Sequence, residues 1–101
     1  MYLNVILTFI LLSMPMDNID DQDKPITSSR ELVEWCQAES HQYFIAHEKT
    51  PYNWTASWWD DATTFYVKGS WLVDKDYLTI ECYVAKNAKQ KYAIMKIIEE
   101  H

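Results

Sequence analysis

From Tyr52 to Ile98, apolar and polar side chains alternate in short runs separated by polar turns. Phe65, Val67, Gly69, Trp71 and Val73 share one parity of the clearest run, and Leu78, Ile80, Cys82 and Val84 share one parity of the next. A period of two describes a strand with one face on a core and the other toward water or a partner. The pattern predicts four antiparallel strands at 52–59, 63–73, 77–85 and 90–98. Asp60-Asp61 and Asp74-Lys75-Asp76 supply the turns between the first three. Gly69 falls mid-strand on the core face, where it either admits a closely packed helix or marks a bulge. Both parities of the last strand hold apolar residues, and Ala93, Met95 and Ile97 are assigned inward.

Upstream the period becomes helical. Ser28 and Glu31 form an S-x-x-E capping box just after Pro25, so a helix is expected from about Ser29 to His47, stopping before Pro51. At about 100° per residue, Leu32, Cys36 and Tyr43 make a narrow apolar stripe. Val33, Ser40, Phe44 and His47 widen it on one side; Trp35 and Ala46 flank the other. Glu31, Glu34, Gln37, His41 and Glu48 occupy the solvated half. One amphipathic helix laid over a four-stranded antiparallel meander buries both apolar surfaces, which makes the chain α+β. That element order resembles the cystatin-like architecture. The resemblance is one of layout alone: the Gln-x-Val-x-Gly loop of cystatins has no counterpart, so no inhibitory activity or site residue is implied.

The head of the chain is different in kind. Residues 1–16, MYLNVILTFILLSMPM, carry no charged side chain, and the apolar run from Val5 to Leu12 is shorter than the roughly 20 residues that cross a bilayer. The run suits the h-region of a secretory signal peptide, although no Lys or Arg precedes it and Ser-Met-Pro-Met departs from a small-x-small cleavage site. Export to the periplasm or the exterior is therefore expected, with no stable membrane span after leader removal. Initiation at Met14 or Met16 would give a cytoplasmic product instead. Residues 17–27 read as a flexible acidic tether, because DNIDDQDK has too little apolar surface to order itself. They lack the central Gly and closing Glu of a calcium loop. The folded domain is then 28–98.

Two cysteines fall on the two buried faces, Cys36 on the helix stripe and Cys82 on the third strand. A helix across a sheet brings such positions within the roughly 4.4–6.8 Å between Cα atoms that a disulfide needs, and an exported chain would oxidise them. Closing a loop of about 46 residues would contribute about 4 kcal/mol in the chain-entropy treatment. The alternative is a pair of separate buried thiols in a cytosolic protein.

Composition narrows the function by exclusion. The net charge of −6 disfavours nucleic-acid and anionic-membrane partners. A single glycine leaves no material for phosphate-cradling loops or a nucleophile elbow around Ser40, Ser57 or Ser70. His41 and His47 lie about 120° apart around the helix and cannot chelate one ion as an i, i+4 pair would. Asp60-Asp61 and Glu99-Glu100 are adjacent acids in a turn and at an end, which does not make a catalytic pair. No enzyme activity, cofactor or metal is expected.

The positive signal is aromatic: five Trp, seven Tyr and three Phe in 101 residues. With Tyr52, Trp54 and Trp58 turned inward, Trp59, Tyr66, Tyr77 and Tyr83 form an outer face. Rings left in water there mark a contact surface for a protein or a sugar, unless the N-terminal segment or a dimer mate covers them. The expected function is a small exported interaction module of inhibitor, immunity or envelope-accessory type. The alternative is a small-ligand or glycan module with a pocket between helix and sheet near His47, Trp54 and Trp71. Asn53-Trp54-Thr55 also spells a glycosylation sequon, inside a predicted strand.

Overall fold

The computed structural model describes residues 22–98. The expected leader, the 17–21 part of the expected tether and residues 99–101 lie outside the described residues. Among the described residues, helix α1 (Ser29–Ala46) precedes β1 (Tyr52–Asp60), β2 (Thr64–Val73), β3 (Asp76–Ala85), a 3-10 turn (Gln90–Tyr92) and β4 (Ile94–Ile98). The strands pair in the order β1-β2-β3-β4, every pair antiparallel. With α1 packed across one face, the fold is the expected α+β meander.

The core follows the alternation. Phe65, Val67, Trp71 and Val73 from β2 and Ile80, Cys82 and Val84 from β3 are buried against Leu32, Cys36 and Phe44 of α1. Leu78, Ala93, Met95 and Ile97 pack on the margin of this cluster, the facing assigned to the last strand. Three residues expected in that strand, Gln90 to Tyr92, form the 3-10 turn instead. The Gln90 N–H is taken by the carbonyl of Lys24 at 2.9 Å, so this stretch is pinned by the incoming chain and not by β3.

That incoming segment contributes more to the domain than its composition suggests. Ile26 is 1% exposed, donates its N–H to Ala88 O at 2.8 Å and accepts from the Asn87 N–H at 2.9 Å. Pro25 bridges to Lys89 beside it.

The helix buries a different line from the expected one. Leu32, Cys36, Ser40 and Phe44, four residues apart, are fully buried, whereas Tyr43 is 38% exposed and His47 is an exposed C-cap. A helix that meets its neighbours along one i, i+4 row buries that row, which is inclined to its axis; a projection at 3.6 residues per turn averages the inclination away. Ser40 sits in this row without cost. Its hydroxyl donates to Cys36 O at 2.6 Å and accepts the indole N–H of Trp71 at 2.8 Å, tying helix to sheet. One turn earlier Cys36 is bonded to Cys82, with the Cα atoms 6.1 Å apart.

Gly69 serves neither of the two expected purposes. A methyl group there would overlap the six-membered ring of Trp54, which lies over the glycine from the adjacent strand. The bulge is in β1, between Tyr52 and Thr55, with Asn53 at φ 60°. One inserted residue reverses the parity of everything before it. Tyr52 therefore pairs with Leu72 and is exposed on the outer face, not turned inward.

Candidate interaction surface

The sheet face away from α1 is built by residues of known register. Reading across the strands, Trp59, Tyr66, Tyr83 and Ile94 are successive cross-strand partners and form one row over all four strands. The next row is Ser57, Lys68, Glu81 and Lys96, and the one after it Thr55, Ser70, Thr79 and Ile98. The far end carries Tyr52, Leu72 and Tyr77. Directly opposed side chains in a sheet touch, so each row is a continuous strip. The face is thus banded: aromatic, charged, small polar, aromatic.

The first band is the most organised. The Trp59 and Tyr66 rings stack with centroids 5.5 Å apart and an 11° tilt. Lys96 places its ammonium 5.7 Å from the Tyr83 ring. The phenol of Tyr66 donates to Asp61 Oδ2 at 3.0 Å. Asp61 is held in turn by the N–H groups of Thr63 at 2.9 Å and Thr64 at 2.8 Å, an Asx-type turn that closes the β1–β2 connection. The Thr63 N–H, and then the Tyr66 phenol, hold the Asp61 carboxyl below the ordinary aspartate value. The same hydrogen bond to Asp61 raises the Tyr66 phenol above the ordinary tyrosine value. Asp60, its neighbour, is paired with Lys86 at 2.7 Å. The adjacent acids are thus separated in role, one organising the turn and one bridging to the loop after β3.

Of the four outer-face aromatics, Trp59, Tyr66 and Tyr83 are brought together, with Ile94 completing the strip. Tyr77 stands apart, six residues from Tyr83 along β3, which is roughly 20 Å of strand. Ile94 escaped notice in the sequence because its place in the row depends on β3–β4 register.

The three residues of the expected pocket do not converge on a cavity. Trp54 and Trp71 pack on each other with centroids 5.0 Å apart, filling the space over Gly69. His47 turns back on its own helix, its ring 4.1 Å from Tyr43 and its Nδ1 2.8 Å from Tyr43 O. The histidine that reaches Trp71 is His41, at 5.6 Å, from the half of the helix expected to face solvent. A depression of about 1010 Å³ lies elsewhere, beside α1 between Trp35 and Ala93, with Glu34, Glu39, Lys24 and Lys91 among its walls. Among the described residues no group of three or more His, Cys, Asp and Glu side chains is placed to hold a metal ion. Nor, among them, is any helix long and apolar enough to cross a membrane.

Fold and surface together define the class: a small disulfide-linked α+β domain with a helix on one sheet face and a banded aromatic surface on the other. In comparisons with protein-family models, curated proteins and solved structures, nothing matches the chain.

Proposed function

We propose that this chain is an exported protein-interaction module that engages a protein partner through the Trp59–Tyr66–Tyr83–Ile94 band. The observation that carries this reading is the alignment of that band across all four strands, on the face that α1 leaves uncovered. Trp59 and Ile94 are both exposed, and aromatic side chains held rigid by neighbours make favourable contact groups because little rotamer freedom is lost on docking. The stacking of Trp59 on Tyr66 uses one face of each ring, so the band offers ring edges at its centre. That favours a protein surface over a sugar, which would lie flat on free ring faces. The charged band beside it supplies polar contacts for a rim.

Export is part of the same proposal. The Cys36–Cys82 bond is compatible with an oxidising compartment, and the apolar run near the chain start suits a leader. Intact mass of the native product reads out both leader loss and the two hydrogens lost from the thiols. For the surface, Tyr83→Ala combined with Ile94→Ser is expected to abolish capture of the partner from the producing cells, while Tyr77→Ala retains it. Capture that survives the first pair of changes and fails with the second would move the contact to the other end of the sheet and end this reading.

A further inference from the structure

One motif of the sequence has no part in the surface described above. Of the four asparagines in the chain, Asn53 alone stands two positions before a hydroxyl residue, in Asn53-Trp54-Thr55. In an exported chain this is the acceptor pattern for an N-linked glycan, with Trp in the middle place where proline would block it.

A regular strand would give the asparagine a cross-strand partner; the bulge in β1 removes it. The β1–β2 register passes from Tyr52 opposite Leu72 to Thr55 opposite Ser70, so Asn53 and Trp54 together face Trp71. Asn53 takes φ 60°, a conformation that asparagine enters more readily than other residues with a side chain. The two bulge residues then part. The Trp54 ring packs over Gly69 and against Trp71, which anchors the bulge, while Asn53 is exposed. Thr55 is exposed as well, its hydroxyl 3.0 Å from Ser70 Oγ. Among the described residues β1 has β2 as its one strand neighbour, so a substituent at Asn53 meets no further strand.

We propose that Asn53 carries an N-linked glycan, added as the chain is exported. The inference rests on the export proposed above. In the transfer, Asn53 Nδ2 attacks the anomeric carbon of a lipid-pyrophosphate-linked oligosaccharide. The C–N bond forms as the bond from that carbon to the pyrophosphate oxygen breaks. The oxygen keeps the electron pair, the nitrogen gives up one proton, and nothing is oxidised or reduced. The Thr55 hydroxyl is the group that the transferring enzyme reads two positions on. In the folded sheet that hydroxyl is engaged with Ser70, so transfer precedes the pairing of β1 with β2. Folding then tolerates the product, because Asn53 has no partner in the register and stands in solvent. Tyr52, 48% exposed beside it, offers a ring to the C–H face of the first sugar. Six residues separate Asn53 from Trp59, roughly 20 Å of strand, so the Trp59–Tyr66–Tyr83–Ile94 band stays open.

The test is peptide mapping and intact mass of the chain secreted by its producing cells, before and after enzymatic release of N-linked glycans. The expected result is a mass above that of the polypeptide, lost in full on release, with the Asn53 amide converted to a carboxyl. Asn53→Gly keeps the left-handed backbone without the acceptor, and Thr55→Ala keeps the acceptor without the hydroxyl. Each, made in the same cells, is expected to lose the whole excess and still be secreted with the Cys36–Cys82 bond intact. Thr55→Ser, which retains the hydroxyl, is expected to keep the glycan. Mapping of the unaltered chain decides occupancy without any variant. A secreted, disulfide-bonded product at the bare polypeptide mass overturns the inference and leaves export standing. A product retained in the cell with free thiols overturns both. A glycan on another residue, or one on Asn53 that survives Thr55→Ala, overturns the inference as well.

Discussion

At the scale of single residues, the fold rests on a few positions with one physical job each. Ser40 is the clearest. Buried polar groups are expensive unless paired, and this hydroxyl serves both its own helix and the Trp71 indole. Ser40→Ala leaves the indole N–H without an acceptor in the core and is expected to cost about 1–3 kcal/mol, read from the urea midpoint. Gly69→Ala drives a methyl group into Trp54 and is expected to destabilise by about 1–3 kcal/mol. The same change in a Trp54→Leu background should cost much less, and a thermodynamic cycle in which the two losses simply add would show that the ring does not determine the glycine. Asp61 carries a pH dependence. Its folded carboxyl titrates below the unfolded one, so its contribution is complete above the unfolded range and disappears as pH falls through the lowered value. Asp61→Asn should therefore flatten the acid limb of a stability-against-pH curve between neutral and strongly acid solution. These roles were legible only in part: Ser40 read as the edge of a stripe, Gly69 as a helix contact or a bulge, and Asp61 as a turn residue with no sign of its bond to Tyr66. Each depends on a neighbour supplied by another element.

At the scale of elements, boundaries were legible where a local hydrogen bond sets them. The Ser28 hydroxyl accepts the Glu31 N–H at 3.2 Å, as the capping box requires. The Glu31 carboxylate, however, reaches one residue further back and takes the Thr27 N–H at 2.7 Å, which lowers its pKa. At the other end the helix closes in a Schellman arrangement, with Lys49 N–H to Phe44 O and Glu48 N–H to Ile45 O. That geometry puts Glu48, not a glycine, at φ 64°. Glu48→Gly is expected to stabilise the protein by about 1 kcal/mol, seen as a higher thermal midpoint, because a left-handed residue with a side chain is strained. The β2–β3 turn shows the same economy of glycine: Asp74 and Lys75 both have positive φ, as a two-residue hairpin demands. The single glycine of this chain is thus spent on packing and not on a turn.

At the scale of the whole molecule, helix and sheet are joined by a small core, one hydroxyl and one covalent bond. Crosslinking residues 46 apart removes enough freedom from the unfolded chain to contribute about 4 kcal/mol. For a domain with this few buried residues that is a large share of net stability. Thermal unfolding with and without reductant is expected to show a pronounced drop on reduction. The Cys36→Ala, Cys82→Ala double variant should fall to the level of the reduced protein and respond no further to reductant.

Alternation along each strand, the capping box and the two cysteine positions determined the fold class, the buried parity of β2 and β3, and the helix–sheet crosslink. These are local quantities, carried by side chains two to four positions apart on one element. Register and crossing angle are not local. They come from pairing between segments far apart in the chain, and one bulge at Asn53 was enough to send Tyr52 to the opposite face. Only the assembled sheet could align Trp59, Tyr66, Tyr83 and Ile94, separate Tyr77 from them, and put His41 rather than His47 against Trp71. A contact surface spread over several strands exists only once their mutual offsets are set by hydrogen bonds between them.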